Sequence, residues 1–177
     1  MTNNLNFVNF KPTKNLKSFI KENKLKVKEL IDQEDFTGLY HIALEYGDNK
    51  EINIIPDLTR LLYNINIDPL DYMDWVPASF LDSVKVEFDL ILPENITAIS
   101  DFAFAGSWIK AITIPTSCDY FGDRIFYDCK KLNYVYYNGT YEEFKKISKE
   151  RKWRSDIDSS SPVWVKCVDG RYDIHDV

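Results

Sequence analysis

Two successive stretches of this 177-residue chain read alike. Leu90-Ile91-Leu92-Pro93-Glu94-Asn95-Ile96-Thr97-Ala98-Ile99-Ser100-Asp101-Phe102-Ala103-Phe104 aligns with Ile112-Thr113-Ile114-Pro115-Thr116-Ser117-Cys118-Asp119-Tyr120-Phe121-Gly122-Asp123-Arg124-Ile125-Phe126 at an offset of 22. Leu90/Ile112, Leu92/Ile114, Pro93/Pro115, Ile96/Cys118, Ile99/Phe121, Asp101/Asp123 and Phe104/Phe126 thereby match in kind. The match continues at an offset of 23, with Ile109 on Leu132, Ile112 on Val135 and Ile114 on Tyr137. A unit this short cannot bury its own apolar residues, whereas stacked copies make parallel strands whose inward residues share one core. Each unit is therefore expected to open with an alternating strand, turn at proline and carry a Phe-rich turn before the next strand. Upstream, Val84, Val86, Phe88, Leu90 and Leu92 alternate at period 2 and predict one long strand, Val84 to Leu92, at the start of the stack.

The strand Ile112 to Pro115, the stretch Phe102-Ala103-Phe104-Ala105-Gly106 and the stretch Phe126-Tyr127-Asp128-Cys129-Lys130-Lys131-Leu132 resemble the BspA-like leucine-rich repeat family. Val135 to Ile147, Trp153 and Val165 to Gly170 look like the C-terminal cap that often closes such arrays. The resemblance runs from Leu90 to about Gly170. It departs from the family pattern in having two clear units and in Arg124, which stands where a small or aromatic residue is expected. Independently of the resemblance, Glu142, Glu143, Lys145, Lys146, Lys149, Glu150 and Arg151 surround Phe144 and Ile147, as in a helix buried on one side. Ser155 to Ser161 reads as an exposed loop and Val163 to Val168 as the last strand.

The first half is patterned differently. Leu16, Phe19, Ile20, Val27, Leu30 and Ile31 predict one amphipathic helix over Lys14 to Glu34. Its cations Lys14, Lys17, Lys21, Lys24, Lys26 and Lys28 read as a solvated face rather than a nucleic-acid patch. Phe36, Leu39, Tyr40, Ala43 and Tyr46 predict a second helix stopping at Gly47-Asp48. Glu51 to Ile55 reads as a short strand, and Pro56-Asp57 as a break and N-cap for Leu58, Leu61, Leu62 and Ile65. Asp68-Pro69 opens a further short helix through Leu70 and Met73, ending near Trp75-Val76-Pro77. The expected fold is α+β: a helical N-terminal cap over 1–80, then over 81–177 a short leucine-rich-repeat-like solenoid with parallel strands and a helix-strand cap.

Composition narrows the function classes. With 22 basic against 28 acidic residues the formal charge is −6, so no overall attraction to a phosphate backbone exists and direct nucleic-acid binding is not expected. Met1 to Lys17 is polar and interrupted by Pro12, unlike a secretory signal, and no apolar run approaches the roughly 18 residues of a membrane helix. A cytoplasmic protein without membrane contact is the expectation. Cys118, Cys129 and Cys167 lack CxxC spacing and read as buried, reduced thiols. None of GxGxxG, GxxxxGK[ST], HExxH or GxSxG occurs. His41 reads as a partly buried, hydrogen-bonded histidine, His175 as part of a fraying end, and acidic pairs such as Asp71/Asp74 or Asp156/Asp158 as chance. No catalytic residue, cofactor or metal is expected.

What remains is surface. If Ile112, Ile114, Val135, Tyr137, Val165 and Cys167 point inward, then Thr113, Tyr134, Tyr136, Trp164 and Lys166 point outward, the candidate partner-binding residues. Tyr134, Tyr136 and Trp164 would form an aromatic ridge of the kind that anchors binding hot spots, unless they pack beneath the first helices or the cap loop. The leading expectation is a non-enzymatic intracellular module that presents a repeat surface to another protein. A sharper alternative is a phage- or mobile-element-encoded inhibitor of a bacterial defence complex, such as an anti-CRISPR protein. Further alternatives are a surface or adhesion component and an enzyme of unrecognised type.

Overall fold

Apolar spacing of three and four residues makes the chain up to Met73 helical, and these residues form one compact unit. The computed structural model describes residue 3, residues 5–157 and residues 162–177. Helix α1 spans Lys14–Glu22 and α2 Lys24–Asp32, so the single helix expected over Lys14 to Glu34 is in fact two. The break falls at Asn23, whose side-chain amide donates to the Phe19 carbonyl at 3.0 Å, a local bond that competes with the helical ladder. All six lysines of the expected solvated face are exposed. Helix α3, Phe36–Lys50, starts at Asp35, whose carboxylate accepts from the Gly38 N–H at 2.8 Å. It runs through Gly47-Asp48 rather than stopping there, and ends at Glu51 in the left-handed conformation (φ 54°). Gly47 is needed for another reason: the Ile52 N–H bonds back to its carbonyl, and a Cβ at position 47 would lie 2.5 Å from the Ile52 oxygen.

That return bond also explains why the strand expected over Glu51 to Ile55 does not form. Helix α4, Ile55–Asn64, begins before Pro56, and the Asn53 side chain, not Asp57, accepts from the Ile55 N–H at 3.1 Å. Asp57 lies in the first turn and pairs with Arg60. The helix opened by Asp68-Pro69 is a short 3₁₀ turn, Pro69–Tyr72, and Trp75-Val76 beyond it are extended. Asp68 is buried, with its charge satisfied by the Leu70 N–H, the Tyr63 hydroxyl and Asn3 at 2.9–3.1 Å.

From Asp74 on, the chain forms a second compact unit in which every strand pairing is parallel except that of the last two strands. The strands are β1 Trp75–Val76, β2 Phe88–Ile91, β3 Ala98–Ile99, β4 Ile109–Ile114, β5 Tyr120–Phe121, β6 Tyr134–Tyr137, β7 Ser148–Lys149, β8 Trp164–Cys167 and β9 Gly170–Asp173, with helix α5, Tyr141–Lys146, before β7. They alternate between a four-stranded sheet, β1-β3-β5-β7, and a five-stranded one, β2-β4-β6-β8-β9. The two units legible in the sequence carry β2 with β3 and β4 with β5; β1 precedes them, and β6 with β7 follows before β8.

Leu90, Ile112, Val135 and Val165 lie in register and are buried, as are Val76, Ile99 and Phe121 on the smaller sheet. Between the sheets, backbone bonds such as Leu81 N–H to Ala103 O and Phe104 N–H to Ile125 O tie turn to turn. Phe104 stacks on Phe126 at 5.9 Å. The turns demand left-handed residues at repeating places: Ser79, Phe102 and Arg124, then Ser83, Gly106 and Asp128.

The long strand expected over Val84 to Leu92 is shorter, Phe88–Ile91. Its first half belongs to the turn ladder, where the Val84 carbonyl takes the Trp108 N–H and Val86 is 43% exposed. At the other end α5 is closed by a capping box of Thr140 and Glu143. Within the expected Ser155 to Ser161 loop, residues 158–161 lie outside the described residues, as does the Asp158 of the acidic pair.

Candidate interaction face

The five-stranded sheet has one buried face and one that is not: burial alternates along β2, β6 and β8, and along β4 from Ala111 on. Between Phe88 and Asp89 the pairing with β4 slips by one residue, so that Phe88 faces Ile109 but Asp89 faces Ala111. The extra residue, Lys110, lets Ile109 and Ile112 both point inward and puts Ala111 and Thr113 on the outer side. Two outer rows result. One runs Asp89, Ala111, Tyr134, Trp164, and the next Ile91, Thr113, Tyr136, Lys166.

All five residues singled out in the sequence, Thr113, Tyr134, Tyr136, Trp164 and Lys166, therefore sit on adjacent strands of this side. Lys166 is exposed and the other four are half-buried. The Tyr134 and Tyr136 rings stack at 5.4 Å. The Lys166 ammonium lies 5.7 Å from the centre of the Tyr136 ring.

Strand β9, which the sequence reading did not foresee, adds to this face. It returns antiparallel from the two-residue turn Val168-Asp169, placing Arg171 opposite Lys166 and Asp173 opposite Trp164. The Arg171 guanidinium covers the Trp164 ring at 4.3 Å. The Asp169-Gly170 pair after an alternating strand marks a turn in the sequence, but the two turn residues are Val168 and Asp169 and Gly170 already pairs with Cys167. At the opposite end Lys110 and Lys131 converge on Glu87 at 3.9 and 3.4 Å, and Lys131 lies over Trp108.

His41 is exposed rather than partly buried, and His175 lies in a 3₁₀ turn, Ile174–Asp176, whose N–H is held by Asp173 at 2.9 Å. An open pocket of about 390 Å³ is lined by Asp101, Tyr120, Asp123, Glu150, Arg151 and Lys152. A second, of about 220 Å³, includes Cys118, Tyr137 and Glu143. Burial pushes the Cys118 and Cys129 thiols up to about 12 and Cys167 to about 11, which leaves all three protonated and poorly nucleophilic at neutral pH. All three are buried and free, and no group of residues suited to a metal occurs among the described residues.

One cation is unusual. Lys149 stands where the smaller sheet would continue its apolar ladder, paired with Phe121. Its ammonium donates to the Ile147 carbonyl at 3.1 Å and to the Phe144 carbonyl, and lies over the Phe144 ring at 4.6 Å. Burial pulls its pKa down from 10.5 to about 8. Between those two values the unfolded chain binds the proton and the folded one releases it, so this group adds stability as pH rises from about 8 to about 10.5 and loses it again on acidification. Urea unfolding of the wild type and Lys149→Met across that window is expected to show the difference in stability moving in favour of the wild type as pH rises. A pH-independent difference would refute the assignment. Comparison with the variant cancels the buried thiols, which act in the opposite direction.

The ladder of parallel strands, the left-handed turn positions and the phenylalanine stack recur at the spacing of one known repeat. Residues 78–150 match the family model described as BspA type Leucine rich repeat region (6 copies). This segment is similar to a BspA-type leucine-rich repeat. No curated protein and no solved structure matches the chain. Leucine-rich repeats commonly mediate protein–protein interaction and are generally non-catalytic. No helix among the described residues is long and apolar enough to cross a membrane.

Proposed function

We propose that the protein is a non-enzymatic interaction module of the cytoplasm that binds another protein through the outer side of its five-stranded sheet. In this reading the BspA-type repeats form a short solenoid, and α5 with the β8–β9 hairpin is its C-terminal cap. The observation that carries the proposal is the in-register grouping of Thr113, Tyr134, Tyr136, Trp164 and Lys166 on neighbouring strands, with three aromatic rings only half-covered. Rigid aromatic side chains offer large contact area at small entropic cost and dominate binding hot spots. The fixed strand spacing of about 4.8 Å holds them in one geometry before any partner arrives.

The test is an affinity pull-down from the native cell with the wild type, Tyr136→Ala and Trp164→Ala, followed by titration of the captured protein. Each substitution is expected to weaken binding by about 2 kcal/mol, roughly thirtyfold, while the folded state persists. A partner held equally by all three proteins would remove the ridge from the account. The identity of the captured protein separates an inhibitor of a defence complex from a surface component.

A further inference from the structure

We infer that the partner presents acidic side chains, and that Lys166 and Arg171 receive them. This rests on the interaction-module reading and names the chemistry of its partner. In a chain of formal charge −6, these two cations stand directly opposite each other across β8 and β9. Like charges so placed destabilise a sheet. Among the described residues neither is paired with a carboxylate. The carboxylate on β9 nearest in sequence, Asp173, accepts the His175 N–H at 2.9 Å. The contrast lies within one face: at its other end Lys110 and Lys131 share Glu87, whereas this end keeps two exposed charges.

The aromatic rings set how an anion would be met. Trp164 holds the Arg171 guanidinium over its ring at 4.3 Å, and a guanidinium meets a carboxylate through two parallel N–H bonds, the geometry that arginine favours. Tyr136 steadies Lys166 in the same way, as a point charge beside it. A segment carrying Asp or Glu next to an aromatic or apolar residue satisfies both halves of this arrangement, the charge on the cations and the apolar group on the Tyr134–Tyr136 stack. A nucleic acid does not, since two cations neutralise few phosphates and the rest of the chain repels them.

The probe is the synthetic copolymer poly(Glu,Tyr), fluorescently labelled and titrated by anisotropy at moderate salt. Parallel titrations use poly(Lys,Tyr) and a 20-nucleotide oligothymidylate. The wild type is expected to bind poly(Glu,Tyr) at least tenfold more tightly than either of the others. K166E/R171E is expected to lose at least tenfold in affinity for it, with circular dichroism unchanged. If the reversed pair does not fold, K166Q/R171Q serves, with an expected loss of at least threefold. Absence of binding by the wild type, binding by the folded double variant within twofold of wild type, or tighter binding of oligothymidylate would overturn the inference. If the native partner is lost by Tyr136→Ala and Trp164→Ala but kept by K166E/R171E, the ridge reading stands and acidic recognition fails alone.

Discussion

Phe121→Ala is expected to lower the unfolding free energy by about 4 kcal/mol, the upper range for emptying a closed aromatic site. The ring is fully buried and joins elements far apart in the chain. It lies 5.9 Å from Phe144 of α5 and 5.3 Å from Trp153, and its strand pairs with Ile99 on one side and Lys149 on the other. Parallel backbone pairing on both sides fixes the cavity walls, which therefore relax little. Thermal unfolding should show the midpoint falling by roughly 8–16 °C for a chain of this size. A loss below about 1 kcal/mol would mean that the stack collapses into the space.

The neighbouring glycine gives the second large effect, by the opposite mechanism. The Gly122 N–H bonds to the Ile99 carbonyl of the preceding turn at 2.8 Å, and a Cβ there would lie 2.6 Å from the Asp101 nitrogen and 2.8 Å from the Ser100 carbonyl carbon. Those atoms are backbone and cannot swing aside. Gly122→Ala is expected to cost about 2 kcal/mol through forced separation of adjacent turns. Chemical denaturation reads this directly, and an alanine variant as stable as the wild type would show that the turns are not held at this distance. Since Asp101 also accepts the Asp123 N–H at 2.7 Å, the disturbance should reach the phenylalanine turn that follows.

The inward ladder was legible in the sequence because side-chain direction in a strand follows from parity alone. Leu90, Ile112, Val135 and Val165 needed no knowledge of their neighbours to be placed. Helices α1 to α4 were less so, since apolar spacing does not report a local competitor such as the Asn23 amide, nor the Ile52 N–H that turns back on Gly47. Val86 had the right type and parity for the core, yet the turn ladder captured the backbone before the strand began. The face itself was half legible. Tyr134, Tyr136 and Trp164 followed from alternation, but Arg171 required the antiparallel return of β9, and its place opposite Lys166 depends on the length of one turn.

Local pattern by itself determined that this chain would contain a repeat, which of its residues would point into a shared core, and that no familiar reactive motif would be present. Only the tertiary structure decided which charges would meet: Lys149 among aromatic rings at the end of an apolar ladder, Glu87 between two lysines, and Lys166 facing Arg171. The reason is physical. Parity along a strand is a property of one segment, whereas electrostatic environment is set by the register between segments that lie apart in the chain and come together only when it folds.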